Sequence, residues 1–243
     1  MSALLEVHGL TKRFGGITAV DACSLEVAQG TVTALIGPNG SGKTTAFNII
    51  TGYLKADAGT ISFDGKRVEK PSPARLYRDG LSRTFQQARI FPDLSVLENL
   101  VVASRYSLRG LFQTRVSKQD RDRAGEMLEE FKLSSLSDLR GSELSYGQRK
   151  LLEFAAVLMS SPKLVLLDEP TAGVNPVMIE TMERHIRSRH KEGVTFLIVE
   201  HDMQLVMRLC DPVVVLDRGA TIAKGTPAEV QTNPLVLDAY LGD

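Results

Sequence analysis

Apolar positions along the chain fall into three regimes. In the first of them, residues 4–7 and 20–27 alternate apolar with polar, and 31–36 is an apolar run ending in Gly-Pro-Asn-Gly. Alternation predicts half-buried strands, and a continuous run predicts a fully buried one. Residues 43–52 then carry Phe47, Ile49 and Ile50 at helical spacing, with Gly52 as a stop. Residues 60–63 followed by Asp64-Gly65 predict a hairpin strand and its turn. In the middle, residues 95–106, 118–133 and 145–159 repeat apolar residues on a helical period, and Ser95 with Glu98 forms a capping-box pattern. The basic stretch 109–117 reads as a surface loop. The last third returns to apolar runs at 164–167, 195–199 and 213–216, as parallel strands covered on both faces require. Between the first two lies a helix over 176–191 with Pro176 at its first turn. The pattern predicts one α/β unit over 1–243, with a helical sub-domain of about 88–160 set into it.

Composition narrows the function classes. The 243 residues are 43% hydrophobic and 24% charged, which is ordinary for a globular chain. Lys plus Arg equals Asp plus Glu, 29 against 29, so there is no basic excess and nucleic acid is not expected as a partner. No stretch approaches the roughly 20 apolar residues of a membrane span. The longest, 151–159, is broken by Glu153, and residues 1–6 lack the features of a signal peptide. The expected location is cytoplasmic. Cys23 and Cys210 have no metal-ligand spacing and read as buried, reduced thiols.

Two segments carry chemistry. Gly37-Pro38-Asn39-Gly40-Ser41-Gly42-Lys43-Thr44, followed by Thr45, fits G-x-x-x-x-G-K-[ST] at every fixed position. Glycines let successive backbone N–H groups turn onto phosphate oxygens, Lys43 brings a positive charge to the β- and γ-phosphates, and the Thr44 hydroxyl is a Mg²⁺ ligand. A strand before the loop and a helix after it supply the context, and the helix adds its N-terminal dipole. The second segment, Leu164 to Glu169, is an apolar strand ending in two carboxylates. A parallel neighbouring strand is expected to deliver Asp168 to the metal through water, with Glu169 orienting or deprotonating the attacking water.

With these in place, Leu144-Ser145-Tyr146-Gly147-Gln148 resembles the signature of ATP-binding cassette (ABC) ATPases, whose usual form has Gly where Tyr146 stands. The resemblance implies that Ser145, Tyr146, Gly147 and Gln148 face an ATP held by another subunit. It implies further that Gln86, in Thr84-Phe85-Gln86, is the loop glutamine that contacts Mg²⁺ or the lytic water. His201, in Ile198 to Asp202, resembles the switch histidine that bonds the γ-phosphate, and Phe14 stands where the family stacks Tyr on adenine. Asn175 replaces the usual Asp of the loop Ala172 to Pro176, keeping hydrogen-bonding reach and losing charge. That loop, Arg83 to Gln86, Leu97-Glu98-Asn99, and the ending from Gly225-Thr226-Pro227 to Ala239-Tyr240-Leu241-Gly242 are similar to the LivG-type ATPases of branched-chain amino acid importers.

What this implies is concrete. The fold class is α/β: a P-loop ABC ATPase core with a mixed sheet, an N-terminal antiparallel β sub-domain, the inserted helices, and a helical extension over 226–243. The activity is ATP hydrolysis with Mg²⁺. The partners are transmembrane permease subunits, a second ATPase subunit (a copy or a homologous chain) and, indirectly, an extracytoplasmic solute-binding protein, which places the chain peripherally on the cytoplasmic face. Related ATPases energise urea or amide uptake or lipopolysaccharide export, and these remain alternatives. A non-transport P-loop NTPase, either a GTPase or a small-molecule kinase, is the third reading; a GTPase would carry an [NT]-K-x-D motif after a strand, and Ser117-Lys118-Gln119-Asp120 has Ser first and no strand before it.

Overall fold

The computed structural model describes residues 2–104 and 118–241. Strands β1 (Ala3–Phe14) and β2 (Ile17–Ala28) form a long hairpin; β3 (Val32–Ile36), helix α1 (Lys43–Ile50), β4 (Ala58–Phe63) and β5 (Lys66–Arg67) follow. Next come α2 (Pro73–Asp79), β6 (Leu81–Arg83), α3 (Val96–Ser104), α4 (Lys118–Glu130), α5 (Tyr146–Leu158) and β7 (Leu164–Asp168). The chain continues through α6 (Pro176–Lys191), β8 (Thr195–Val199), α7 (Met203–Leu209), β9 (Val213–Asp217), β10 (Ala220–Gly225), α8 (Pro227–Gln231) and α9 (Pro234–Leu241). The predicted loop at 109–117 and the end of the predicted 95–106 helix lie outside the described residues.

Two sheets result. One is antiparallel, in the order β2-β1-β4-β5; the other runs β10-β9-β3-β8-β7-β6 and is parallel except for β10. This is the α/β class with an antiparallel companion sheet that the sequence predicts. Asp168 does not come from the strand next to β3, however, because β8 lies between β3 and β7. Asp64 and Gly65 both take positive φ in the β4–β5 turn, the geometry favoured in a two-residue hairpin.

The larger sheet explains its own apolar runs. Along β8, Phe196 and Ile198 join one core and Leu197 and Val199 the other. Residues of β3, β7 and β9 divide in the same way: Ala34, Val165 and Val213 face the helical side, and Leu35, Leu166 and Val214 face α1 and the antiparallel sheet. A strand buried on both faces has no polar positions to alternate with. The helical side is closed by α3 to α7, with Phe131 stacked on His185 at 3.8 Å and edge-on to Phe154 at 5.7 Å. Both cysteines are buried and unpaired, as expected. No helix among the described residues is long and apolar enough to cross a membrane.

Candidate active site

The loop residues gather where parallel strands end. In the order β3-β8-β7-β6, the carboxyl ends lead into the glycine loop, His201, Asp168 with Glu169, and Gln86. Such an edge is where open α/β sheets bind ligands.

The glycine loop is built around Lys43. This lysine is buried, and its Nζ donates to the carbonyls of Gly37 and Pro38, both at 2.8 Å, and to Ser41 Oγ at 3.3 Å. Burial pulls the Lys43 ammonium below the ordinary lysine value, and the carboxylates of Glu169 and Asp168 push against that. Two glycines answer to the protein itself rather than to space for a ligand. A Cβ on Gly37 would lie 2.1 Å from the Leu216 carbonyl, and one on Gly42 would lie 2.4 Å from that of Ala19. Gly42, at φ 97, is the N-cap of α1 and has no side chain to satisfy the first helical N–H groups. The first turn of α1 has no acidic residue, Thr44 is exposed and Thr45 is half-buried. Free helix donors, a buried ammonium and accessible hydroxyls form a donor set that fits a phosphate chain. Asn39 and Gly40 are exposed on the loop, Pro38 is half-buried, and Ser41 closes a turn through its N–H to the Pro38 carbonyl at 3.2 Å.

Beside this loop, three of the predicted residues meet. Glu169 Oε2 accepts from Gln86 Nε2 at 3.0 Å, and its Oε1 lies 2.8 Å from His201 Nε2. Glu169 has φ 47, a left-handed conformation that disfavours a glutamate by roughly 1–3 kcal/mol. Its N–H donates to the Val199 carbonyl at 3.0 Å, and its own carbonyl accepts from Lys150 Nζ at 3.3 Å, so both sides of the peptide hold the bend. His201 rests on buried Glu200, which accepts its N–H at 2.9 Å and takes the Thr171 hydroxyl at 2.5 Å.

Asp168 is placed differently. Its Oδ2 accepts from Arg83 at 2.8 Å, and both side chains are nearly inaccessible, 4% and 5% exposed. Burial pushes the Asp168 carboxyl up, with Arg83 pulling it down and Glu169 adding to the rise. Arg83 also donates to Asn48 Oδ1 and Thr51 Oγ1, both at 2.8 Å. A Mg²⁺ would find oxygen ligands in Thr44 and, through water, Asp168, with the Gln86 amide at the same edge. Among the described residues there is no ready-made cluster of three or more His, Cys, Asp or Glu side chains for a metal. The fit therefore depends on phosphate oxygens and water completing the shell.

Phe14 is half-exposed at the tip of the β1–β2 hairpin. The same hairpin passes the glycine loop at Ala19 and is tied to its surroundings by Asp21 N–H to the Gly219 carbonyl at 2.9 Å. The signature residues sit at the start of α5. Ser145 Oγ accepts the Gln148 N–H at 3.3 Å, and Gln148 Oε1 accepts the Ser145 N–H at 2.8 Å, a reciprocal cap. A Cβ on Gly147 would lie 2.4 Å from Met178 Sδ, so the thioether of α6 covers the start of α5 there. Tyr146 turns back within its own chain and donates to the Gln86 carbonyl at 3.3 Å. Asn175 caps α6, its Oδ1 accepting the Met178 N–H at 3.0 Å.

Sequence reasoning gave no site role to Arg83, Lys150, Glu153 or Glu200. The available signal was a buried-type charge: Lys150 and Glu153 stand among apolar residues of α5, where each is buried. Burial pushes the Glu153 carboxyl up to about 7, against the pull of the Arg89 N–H and of Lys150.

Comparison with known proteins agrees with this geometry. Residues 20–172 match the family model described as ABC transporter, and residues 220–243 match the one described as branched-chain amino acid ATP-binding cassette transporter. The high-affinity branched-chain amino acid transport ATP-binding protein BraF of Pseudomonas aeruginosa is 40% identical, over 99% of this chain and 98% of its own length. LivG of Escherichia coli is 39% identical over the same shares. A nucleotide-free ATP-binding cassette from an ABC transporter superposes with a TM-score of 0.88 at 37% identity, covering 100% of both chains. An ATP-binding cassette of an ABC transporter in its ADP conformation gives 0.87 at 38% identity, again over 100% of both. With residues 20–172, more than half of the chain, and the tail at 220–243 matched in sequence, and the whole chain in three dimensions, the chain belongs to the ATP-binding cassette ATPases of ABC transporters, in the branch that holds LivG and BraF.

Proposed function

We propose that the chain hydrolyses ATP to drive an importer of branched-chain or other hydrophobic amino acids, bound to permease subunits at the cytoplasmic face of the membrane. The observation that carries the proposal is Glu169, held by Gln86 and His201 beside the buried ammonium of Lys43. The solute class is supported by what the relatives at about 40% identity are named for, and by the matched tail at 220–243.

In this reading a triphosphate lies along the glycine loop, and Lys43 exchanges its two carbonyl partners for phosphate oxygens, a charge-assisted bond being the stronger. Glu169 is the base for the attacking water; Gln86 positions that water and His201 bonds the γ-phosphate. Thr44, and through water Asp168, would hold a Mg²⁺, which when bound would supply charge to neutralise the phosphate oxygens. Phe14 offers an aromatic face to the adenine. The other wall of each site is the signature segment of a second ATPase subunit, the counterpart of Ser145 to Gln148 here, so ATP binding closes a dimer and hydrolysis reopens it. The helical insertion at about 88–160 carries that motion to the permease. A groove of about 430 Å³ lined by Tyr53, Phe85, Arg89 and Phe91 beside the Gln86 loop suits such a docking. A solute-binding protein outside the membrane acts on the same permease.

Uptake of labelled leucine, isoleucine and valine by cells deleted for this chain tests the proposal. Uptake should be lost and return with the wild-type chain but not with Lys43→Ala. Undiminished leucine uptake together with lost uptake of urea would refute the solute class.

A further inference from the structure

Tyr146, Lys150 and Glu153 lie at i, i+4 and i+7 of helix α5, along one face. All three reach the main chain of residues 85–89. Tyr146 Oη donates to the Gln86 carbonyl at 3.3 Å, and Lys150 Nζ donates to the Phe85 carbonyl at 3.2 Å. Glu153 Oε1 accepts two N–H groups, from Phe85 at 3.3 Å and from Arg89 at 2.9 Å. Its Oε2 is buried with no partner. A leucine would be the less costly occupant of such a position, as at Leu151 and Leu152, because a buried carboxylate must be compensated. What the carboxylate provides, and leucine does not, is one acceptor shared by two backbone donors, Phe85 and Arg89, that flank the loop's turn two residues on either side of Gln87.

The segment just before this loop is held by something else. Thr84 N–H donates to the Leu166 carbonyl at 2.9 Å, and Arg83 is tied to Asn48, Thr51 and Asp168. The chain therefore passes from the grip of the sheet to the grip of α5 between Thr84 and Phe85. Gln86, whose amide reaches Glu169 at 3.0 Å, falls on the α5 side. We infer that Glu153 is a positioning residue for Gln86: it fastens the 85–89 loop to the helix that begins with the Ser145 signature, so the approach of Gln86 to Glu169 follows the placement of that helix. The inference rests on the role proposed above for Gln86. It adds a link within one chain between the segment expected to meet a second subunit's ATP and the glutamine of the chain's own site.

The test uses the full chain and three variants, Glu153→Leu, Glu153→Gln and Gln86→Ala, with KM and kcat for ATP measured separately. Glu153→Leu should keep KM within about twofold and lower kcat by about 10- to 100-fold, the range that a misplaced catalytic group produces. Glu153→Gln keeps an oxygen that accepts both N–H groups and should restore kcat to within about threefold of wild type. Wild-type kcat in Glu153→Leu, with Gln86→Ala impaired, overturns the positioning role and leaves that of Gln86 standing. Wild-type kcat in Gln86→Ala overturns the Gln86 role itself. Equal loss in Glu153→Leu and Glu153→Gln also overturns the inference, because the acceptor geometry would then be irrelevant. Amide exchange in the wild-type chain provides a measurement independent of whether the leucine variant folds. The Phe85 and Arg89 N–H groups should be protected, and free exchange at both contradicts the inference.

Discussion

Replacing Glu153 by Gln should change how stability depends on pH, by an amount that follows from burial. Glu153 is 4% exposed, and burial pushes its carboxyl from the ordinary 4.5 to about 7. Between those two values the folded chain holds a proton that the unfolded chain has already released. Unfolding then releases that proton, so stability falls as pH rises from 4.5, and the fall levels off above about 7. At 1.36 kcal/mol per pH decade, the interval from 4.5 to about 7 amounts to about 3 kcal/mol. Glu153→Gln keeps the shape and an acceptor oxygen but does not titrate, and every other ionisable group is common to the two proteins. The stability difference between variant and wild type should therefore shift in favour of the variant by about 2–3 kcal/mol from pH 5 to pH 8. Urea denaturation followed by circular dichroism at several pH values measures it. A difference that stays constant to within about 0.5 kcal/mol over that range would refute the reasoning, because Glu153 would then titrate as an exposed carboxylate.

Three further outcomes can be checked. Arg83→Met leaves the Asp168 carboxylate buried without its partner and should lower unfolding stability by about 3–5 kcal/mol in the same urea assay. Phe131→Ala removes a fully buried ring stacked on His185 and should lower stability by about 3–5 kcal/mol, with kcat for ATP little changed in protein that remains folded. Lys43→Met removes the cation of the glycine loop and should reduce ATP turnover by roughly 10²-fold or more, as measured by phosphate release.

The central strands were legible because burial on both faces writes a continuous apolar run, as at 164–167, 195–199 and 213–216. Helix starts were legible where a side chain announces them: Ser95 with Glu98 and Ser145 with Gln148 both form reciprocal caps. Strand β1 was underestimated at 4–7. Its outer half carries Lys12 and Arg13 on accessible positions, and Gly9 and a register shift interrupt the alternation. Strand β6, three residues long, is too short to show any period. The order β3-β8-β7 is a long-range choice that no local pattern encodes.

At the site, the glycine-loop motif located Lys43, the apolar strand ending in two carboxylates located Glu169, and family resemblance pointed to Gln86 and His201, both of which the fold brings onto Glu169. The positive φ of Glu169 has no signal in a residue type that normally avoids it. Asn175 read as a lost charge, yet its side chain caps α6, a use that an Asn serves as well as an Asp. Glu153 read only as an interruption of an apolar stretch, and Lys150 drew no reading, because their partners are main-chain atoms of a loop distant in sequence.

The most direct test of the account is the behaviour of Glu169→Gln with Mg-ATP, read by size-exclusion chromatography alongside phosphate release. Glu169 is proposed as the base, and the nucleotide as the element shared between two subunits. The variant should bind ATP, lose most of its turnover and accumulate as a dimer that disperses when ATP is replaced by ADP. If the shared-site partner is a homologous chain, the dimer should appear only when that chain is added. Turnover at the wild-type rate would contradict the role given to Glu169. A variant that binds ATP, is inactive, and remains a monomer with either partner would contradict the shared site.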